Sequence, residues 1–159
     1  MILRMLAICL LTGFTAFSQE ISIVPKPKSV VKREGVFTIN PQTPIVVSNT
    51  ADQNAADFLN QYLGTYFGFK LPVKNSATTG IFIRTGTVTN KKDGYQLVAD
   101  PQSIRITGNN SVGAFYGVQT LIQLLPVEKS TSINIPAAII ADEPAMAYRG
   151  LHLDVGRHF

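Results

Sequence analysis

Between Ser103 and Thr107 apolar and polar residues alternate, Ile104 and Ile106 against Ser103, Arg105 and Thr107. A period of two is that of a strand with unlike faces. The run Gly94–Ala99 is β-prone in the same way, and Asp100-Pro101 between the two is a tight connection, so the pair predicts an antiparallel hairpin. Short apolar, mostly β-branched runs at 21–24, 36–39, 45–47, 71–73 and 80–84 predict further strands, the first stopped by Pro25 and Pro27. Asn40 to Pro44 and Asn90 to Asp93 read as a loop and an exposed turn. Ile133–Ile135 and Ala137–Ile140 bring the chain back through the sheet.

Two stretches change period. Ala55, Phe58, Leu59, Tyr62, Leu63 and Tyr66 recur at helical spacing behind Thr50-Ala51-Asp52-Gln53, which has the form of a capping box, and Gly68 supplies a stop. Aromatic rings could serve as a platform for sugars, but this stripe is the helix's one apolar face, so core packing is its expected role. A second helix is predicted over Val112–Leu125, with Asn109, Asn110 and Ser111 as capping side chains and Pro126 closing it. Gly113 and Gly117, four apart on it, would let a neighbour approach closely. Strands and helices alternate, with at least one hairpin. The fold expected is α+β: a mixed, largely antiparallel sheet covered by two helices. No internal repeat or low-complexity tract interrupts it.

The last stretch, Tyr148 to Phe159, alternates again: Leu151, Leu153 and Val155 against His152 and Asp154, until Gly156 breaks the pattern and Arg157 and His158 follow. By spacing alone this is an edge strand ending in a basic turn, or a strand whose C-terminal end carries a site. The amino terminus has a positive start, an apolar run from Met5 to Phe14 and a small-x-small triplet at 16–18, the form of a cleavable export signal. That run is short for a membrane span, so no stable membrane anchor is expected. Its removal would take Cys9, the one cysteine, leaving neither disulfide nor thiol chemistry.

With 45% hydrophobic and 15% charged residues the chain is globular rather than disordered. The net charge of +4 is scattered, without a dense basic run, so no nucleic-acid partner is predicted. His152 and His158 share a strand face but lie too far apart to hold one ion, and no metal is expected.

The residues of the last stretch carry more than their spacing. Arg149-Gly150-Leu151-His152-Leu153-Asp154-Val155-Gly156-Arg157-His158-Phe159 resembles the opening strand of the catalytic barrel in the β-N-acetylhexosaminidases of glycoside hydrolase family 20. Gly113–Leu125 resembles the second helix of that family's non-catalytic domain, and Pro25-Lys26-Pro27 a segment with which its mature chains often start. The resemblance implies a signal peptide at 1–18, the N-terminal α+β domain at 19–143 and the first strand of a (β/α)8 barrel at 144–159. Such a barrel typically needs about 250 residues, so with 159 in the chain it would be incomplete.

By the same resemblance Arg157 binds hydroxyls of a terminal amino sugar, a task suited to a planar guanidinium, while Arg149 and Asp154 support the strand. The family's adjacent Asp-Glu pair follows a His-x-Gly-Gly run on a later strand. Asp142-Glu143 precedes the first strand and is followed by Pro144, so it reads as a solvated turn or cap. The implied activity is release of terminal β-linked N-acetylglucosamine or N-acetylgalactosamine by substrate-assisted retaining hydrolysis, without a cofactor, in a periplasmic or extracellular setting. The catalytic pair is not in the chain, which alone is expected to be inactive. A stand-alone carbohydrate-binding or scaffold domain is the alternative, and neither reading sets the oligomeric state.

Overall fold

The computed structural model describes residues 21–47, 49–146, 150, 152 and 156. Seven strands run in chain order: β1 (Ser29–Ile39), β2 (Ile45–Val47), β3 (Val73–Lys74), β4 (Gly80–Thr85), β5 (Tyr95–Asp100), β6 (Ser103–Gly108) and β7 (Ile133–Asp142). Helix α1 (Gln53–Tyr66) lies between β2 and β3, and α2 (Ser111–Gln123) between β6 and β7. They form one sheet in the order β1-β7-β5-β6-β4-β2-β3. The mixed sheet and its two helices agree with the expected class, but the balance differs. The ladders from β1 to β6 are antiparallel, whereas those joining β6, β4, β2 and β3 are parallel.

Alternation places the core. Reading across the register, Ile83, Ile106, Leu97 and Ile140 stand side by side on four strands, and each is fully buried. Helix α2 lies across β4, β5 and β6 on this row, with α1 beside it and against β2. Leu59 and Leu63 of α1 and Val118 and Leu121 of α2 complete the same cluster. Each fully buried side chain of this size is worth about 1.5–3 kcal/mol. The next row, Phe82, Arg105, Val98 and Ile139, lies on the opposite face and is half-buried or exposed.

Several local readings need correction. Residues 21–27 form no strand, and Val24 is held instead by Gln123, whose amide exchanges two hydrogen bonds with the Val24 backbone. The first strand starts at Ser29 and includes the polar run Lys32-Arg33-Glu34, exposed at the sheet edge. Strand β7 is continuous through Pro136, because the register of β1 shifts between Lys32 and Val36 and Pro136 pairs at that bulge. Its buried residues change parity there, Ile133, Ile135 and Ala137 giving way to Ala138 and Ile140.

Helix α1 does not start with the capping box expected at Thr50. Asn49 caps a short 3-10 turn, Thr50–Asp52, its Oδ1 accepting from the Asp52 N–H at 3.0 Å, and Gln53 turns forward to Asp57. At α2 the expected cap is present: the Asn110 side chain accepts from the Gly113 N–H at 2.9 Å. Gly68 ends α1 with φ of 81°, its N–H and that of Phe67 both donating to the Leu63 carbonyl. The aromatic stripe of α1 divides. Phe58 packs edge-on against Phe115 with ring centres 5.0 Å apart, whereas Tyr66 is 54% exposed and lies outside the core.

Candidate functional site

Arg149, Asp154, Arg157 and His158 lie outside the described residues, as do 1–18 of the expected export signal. Of their stretch only Gly150, His152 and Gly156 are described, all three exposed. The polar groups that the described residues bring together lie at the other end of the path to them, where β7 gives out.

Here α2, the start of β5, the end of β7 and the segment 23–25 enclose a cavity of about 130 Å³. Alternation on β5 and β7 puts Tyr95 opposite Asp142, and helical spacing on α2 adds Tyr116, Gln119 and Gln123 along the same wall. Tyr95 is buried and its hydroxyl pairs with that of Thr120. Burial raises the Tyr95 pKa above the usual phenol value, and the carboxylate of Asp142 adds to the effect.

The adjacent acids Asp142 and Glu143 are tethered rather than freely solvated. Asp142 Oδ1 accepts from the Lys28 backbone N–H at 3.1 Å, and Glu143 Oε1 meets Lys28 Nζ at 2.6 Å. That hydrogen bond from Lys28 is the main cause of a Glu143 pKa below the usual carboxylate value. A general acid requires the opposite shift. Glu143 here accepts a hydrogen bond from the Lys28 ammonium, and its shift runs against the one a general acid needs. Among the described residues no group of three or more His, Cys, Asp or Glu is placed to hold a metal, and no helix is long and apolar enough to cross a membrane.

Two features escaped the sequence. The first is Asp52, fully buried at the entry to α1, both carboxylate oxygens without a hydrogen-bond partner. Desolvation by burial is the main cause that raises its pKa above the usual carboxylate value. A group whose pKa is raised on folding stabilises the fold below its ordinary pKa, and that contribution is lost as pH rises through the folded-state value. Asp52→Asn is thus expected to stabilise the domain by about 1–2 kcal/mol at pH 7, a gain that shrinks as pH falls into the carboxylate range. Urea titrations of both proteins across that range measure it; an unchanged or lowered midpoint at pH 7 would refute it.

The second is Lys91. Its carbonyl accepts from Asn109 Nδ2 at 2.6 Å, Thr89 Oγ1 at 3.2 Å and the Gly94 N–H at 3.1 Å. Its ammonium reaches the carbonyls of Pro144 at 2.9 Å and Ala145 at 3.4 Å. The sequence signal was only a charged pair, Lys91-Lys92, in a turn.

The sequence matches the domain described as glycosyl hydrolase family 20, domain 2, over residues 20–143. A beta-hexosaminidase of Porphyromonas gingivalis is 34% identical over 153 residues, covering 90% of this chain and 20% of its own length. Among solved structures, Streptomyces plicatus N-acetyl-beta-hexosaminidase in complex with Thio-NAglucal superposes with a TM-score of 0.76 at 32% identity, covering 86% of this chain and 29% of its own. The GH20 exo beta-N-acetylglucosaminidase from Vibrio harveyi in complex with N-acetylglucosamine gives 0.75 at 28% identity, over 86% of this chain and 21% of that one. The chain thus spans about a fifth of the length of the curated relative.

Proposed function

The chain belongs to glycoside hydrolase family 20, and on that premise we propose that it is the non-catalytic N-terminal domain and first barrel strand of an exported β-N-acetylhexosaminidase. The observation that supports the reading is the match over 20–143, followed after residues 144–148 by Arg149–Phe159, the stretch that resembles the family's opening barrel strand. Export is supported by the form of residues 1–18.

In this reading the substrate is a glycan with a terminal N-acetylglucosamine or N-acetylgalactosamine. Hydrolysis is substrate-assisted, one of the departures from the two-carboxylate scheme: the sugar's acetamido oxygen attacks the anomeric carbon, an Asp orients that group and a Glu protonates the leaving oxygen. This chain supplies neither of those acids. Its part is to present Arg157, whose guanidinium holds sugar hydroxyls, on a strand steadied by Arg149 and Asp154. The lowered pKa of Glu143 supports leaving Asp142-Glu143 out of the catalytic roles.

The test is to read the coding sequence past Phe159 and assay its product on an aryl β-N-acetylglucosaminide. An in-frame His-x-Gly-Gly-Asp-Glu and release of the aryl alcohol are expected from the longer protein, and no release from residues 1–159 alone. An early stop, or hydrolysis by the 159-residue chain, would overturn the proposal.

A further inference from the structure

We propose that Lys91 is a positioning residue: with Lys28 it fixes the direction in which the chain leaves the sheet for the stretch 147–159. Asp142, in the last ladder pair opposite Tyr95, and the three residues after it are gripped from two sides. Lys28, ahead of β1, takes Asp142 with its backbone N–H and Glu143 with its ammonium. Lys91, in the loop between β4 and β5, takes the carbonyls of Pro144 and Ala145 with a single ammonium. One cation on two consecutive carbonyls sets the orientation of both peptide planes, and bonds to a charged donor are among the stronger of their kind.

The loop is built to hold that ammonium in place. Three donors converge on the Lys91 carbonyl. Asn109 Oδ1 also accepts from the N–H groups of Val88 at 2.7 Å and Thr89 at 3.1 Å, and Asn110 Nδ2 donates to Asp93 Oδ1 at 2.8 Å. Asn109 and Asn110 sit at the junction of β6 with α2. The grip on residues 144 and 145 is therefore referred to the centre of the sheet through two asparagines. An ordinary exposed lysine spends its rotamer freedom to form such contacts, which is why isolated surface pairs contribute little. Here the backbone at Lys91 is already fixed before its side chain reaches out.

The role is geometric rather than stabilising, and its bearing on sugar hydrolysis rests on the reading proposed above. The test needs no catalysis, so it is decided separately from that reading. Nitrogen-15 relaxation of the 159-residue chain reports the order of the Ala145 and Met146 amides. Values near about 0.85, those of rigid backbone, are expected in the wild type, and below about 0.6 in Lys91→Met. Lys91→Arg should restore order, since a guanidinium also donates to two carbonyls. Lys92→Met, with the same charge change one residue on, should leave it unaltered. Asn109→Ala touches neither Ala145 nor Met146 and should lower their order through Lys91. Flexible amides in the wild type, or ordered ones in Lys91→Met, would overturn the proposal.

Discussion

Gly113→Ala is expected to destabilise the domain by about 2–3 kcal/mol, although alanine is the better helix former by about 1 kcal/mol. The added methyl group would stand far inside van der Waals contact with the Gly94 carbonyl oxygen, and close behind it are the carbonyl carbons of Gly94 and Asp93, 3.2 and 3.3 Å away. These are backbone atoms. The Gly94 oxygen also accepts the Asn109 N–H at 2.9 Å, and retreating from the methyl would break that bond. Gly117→Ala offers the comparison, since its methyl would press on a side-chain methyl of Ile106, which can shift within the core at a smaller cost. Urea denaturation should show the midpoint falling in both, more for Gly113→Ala, with the slope unchanged. A Gly113→Ala protein as stable as the wild type would mean that α2 does not sit this close to the turn before β5.

Arg157→Met, in the product read past Phe159, is expected to lower kcat/KM on an aryl β-N-acetylglucosaminide by about a hundredfold or more. In the proposed role the arginine makes two charge-assisted hydrogen bonds to sugar hydroxyls, and their loss would cost about 1.5–3 kcal/mol each. Arg157→Lys should recover only part, because an ammonium is a point charge and lacks the fork that meets two neighbouring hydroxyls. Circular dichroism unchanged from the wild type would separate lost binding from lost folding. Undiminished activity in Arg157→Met would remove the arginine from the substrate site.

The sequence was most legible where neighbours in the chain are neighbours in the sheet. The β5–β6 hairpin follows from local alternation and the Asp100-Pro101 turn, and the close face of α2 follows from Gly113 and Gly117. The first half of β1 was not legible, because Ser29–Gly35 is an edge segment exposed to solvent and has no apolar face to betray it. Ile21–Val24 misled for the opposite reason: Ile21 and Ile23 pack on the core and the Val24 backbone is held by Gln123 of α2, without a ladder. The parallel half pairs strands separated by a helix or by another strand, and no local pattern encodes such partners.

The site divides in the same way. The expectation for Arg157, which lies outside the described residues, rests on resemblance and not on spacing, since one arginine after a glycine has no signature of its own. Asp52 stands inside the predicted capping box, and an acid near a helix start is favoured and commonly solvated, so its type gave no sign of burial. Its burial depends on how α1, α2 and β4 meet there, which is a property of the assembled fold.

The strand order carries a consequence for the time course of folding. Among the described strands β1 pairs with β7 alone, Ser29 opposite Ala141 and Ile39 opposite Ile133, so the first of these seven to be made finds its partner only after the seventh has emerged. The hairpin and the parallel layer can assemble earlier, whereas closing so long a loop belongs to the slow, late class of events. Lys28 immediately precedes β1, and its grip on Asp142 and Glu143 forms only when that closure is made. During synthesis, the end of β7 at Asp142 and Glu143 is thus fastened in the same step that finishes the sheet.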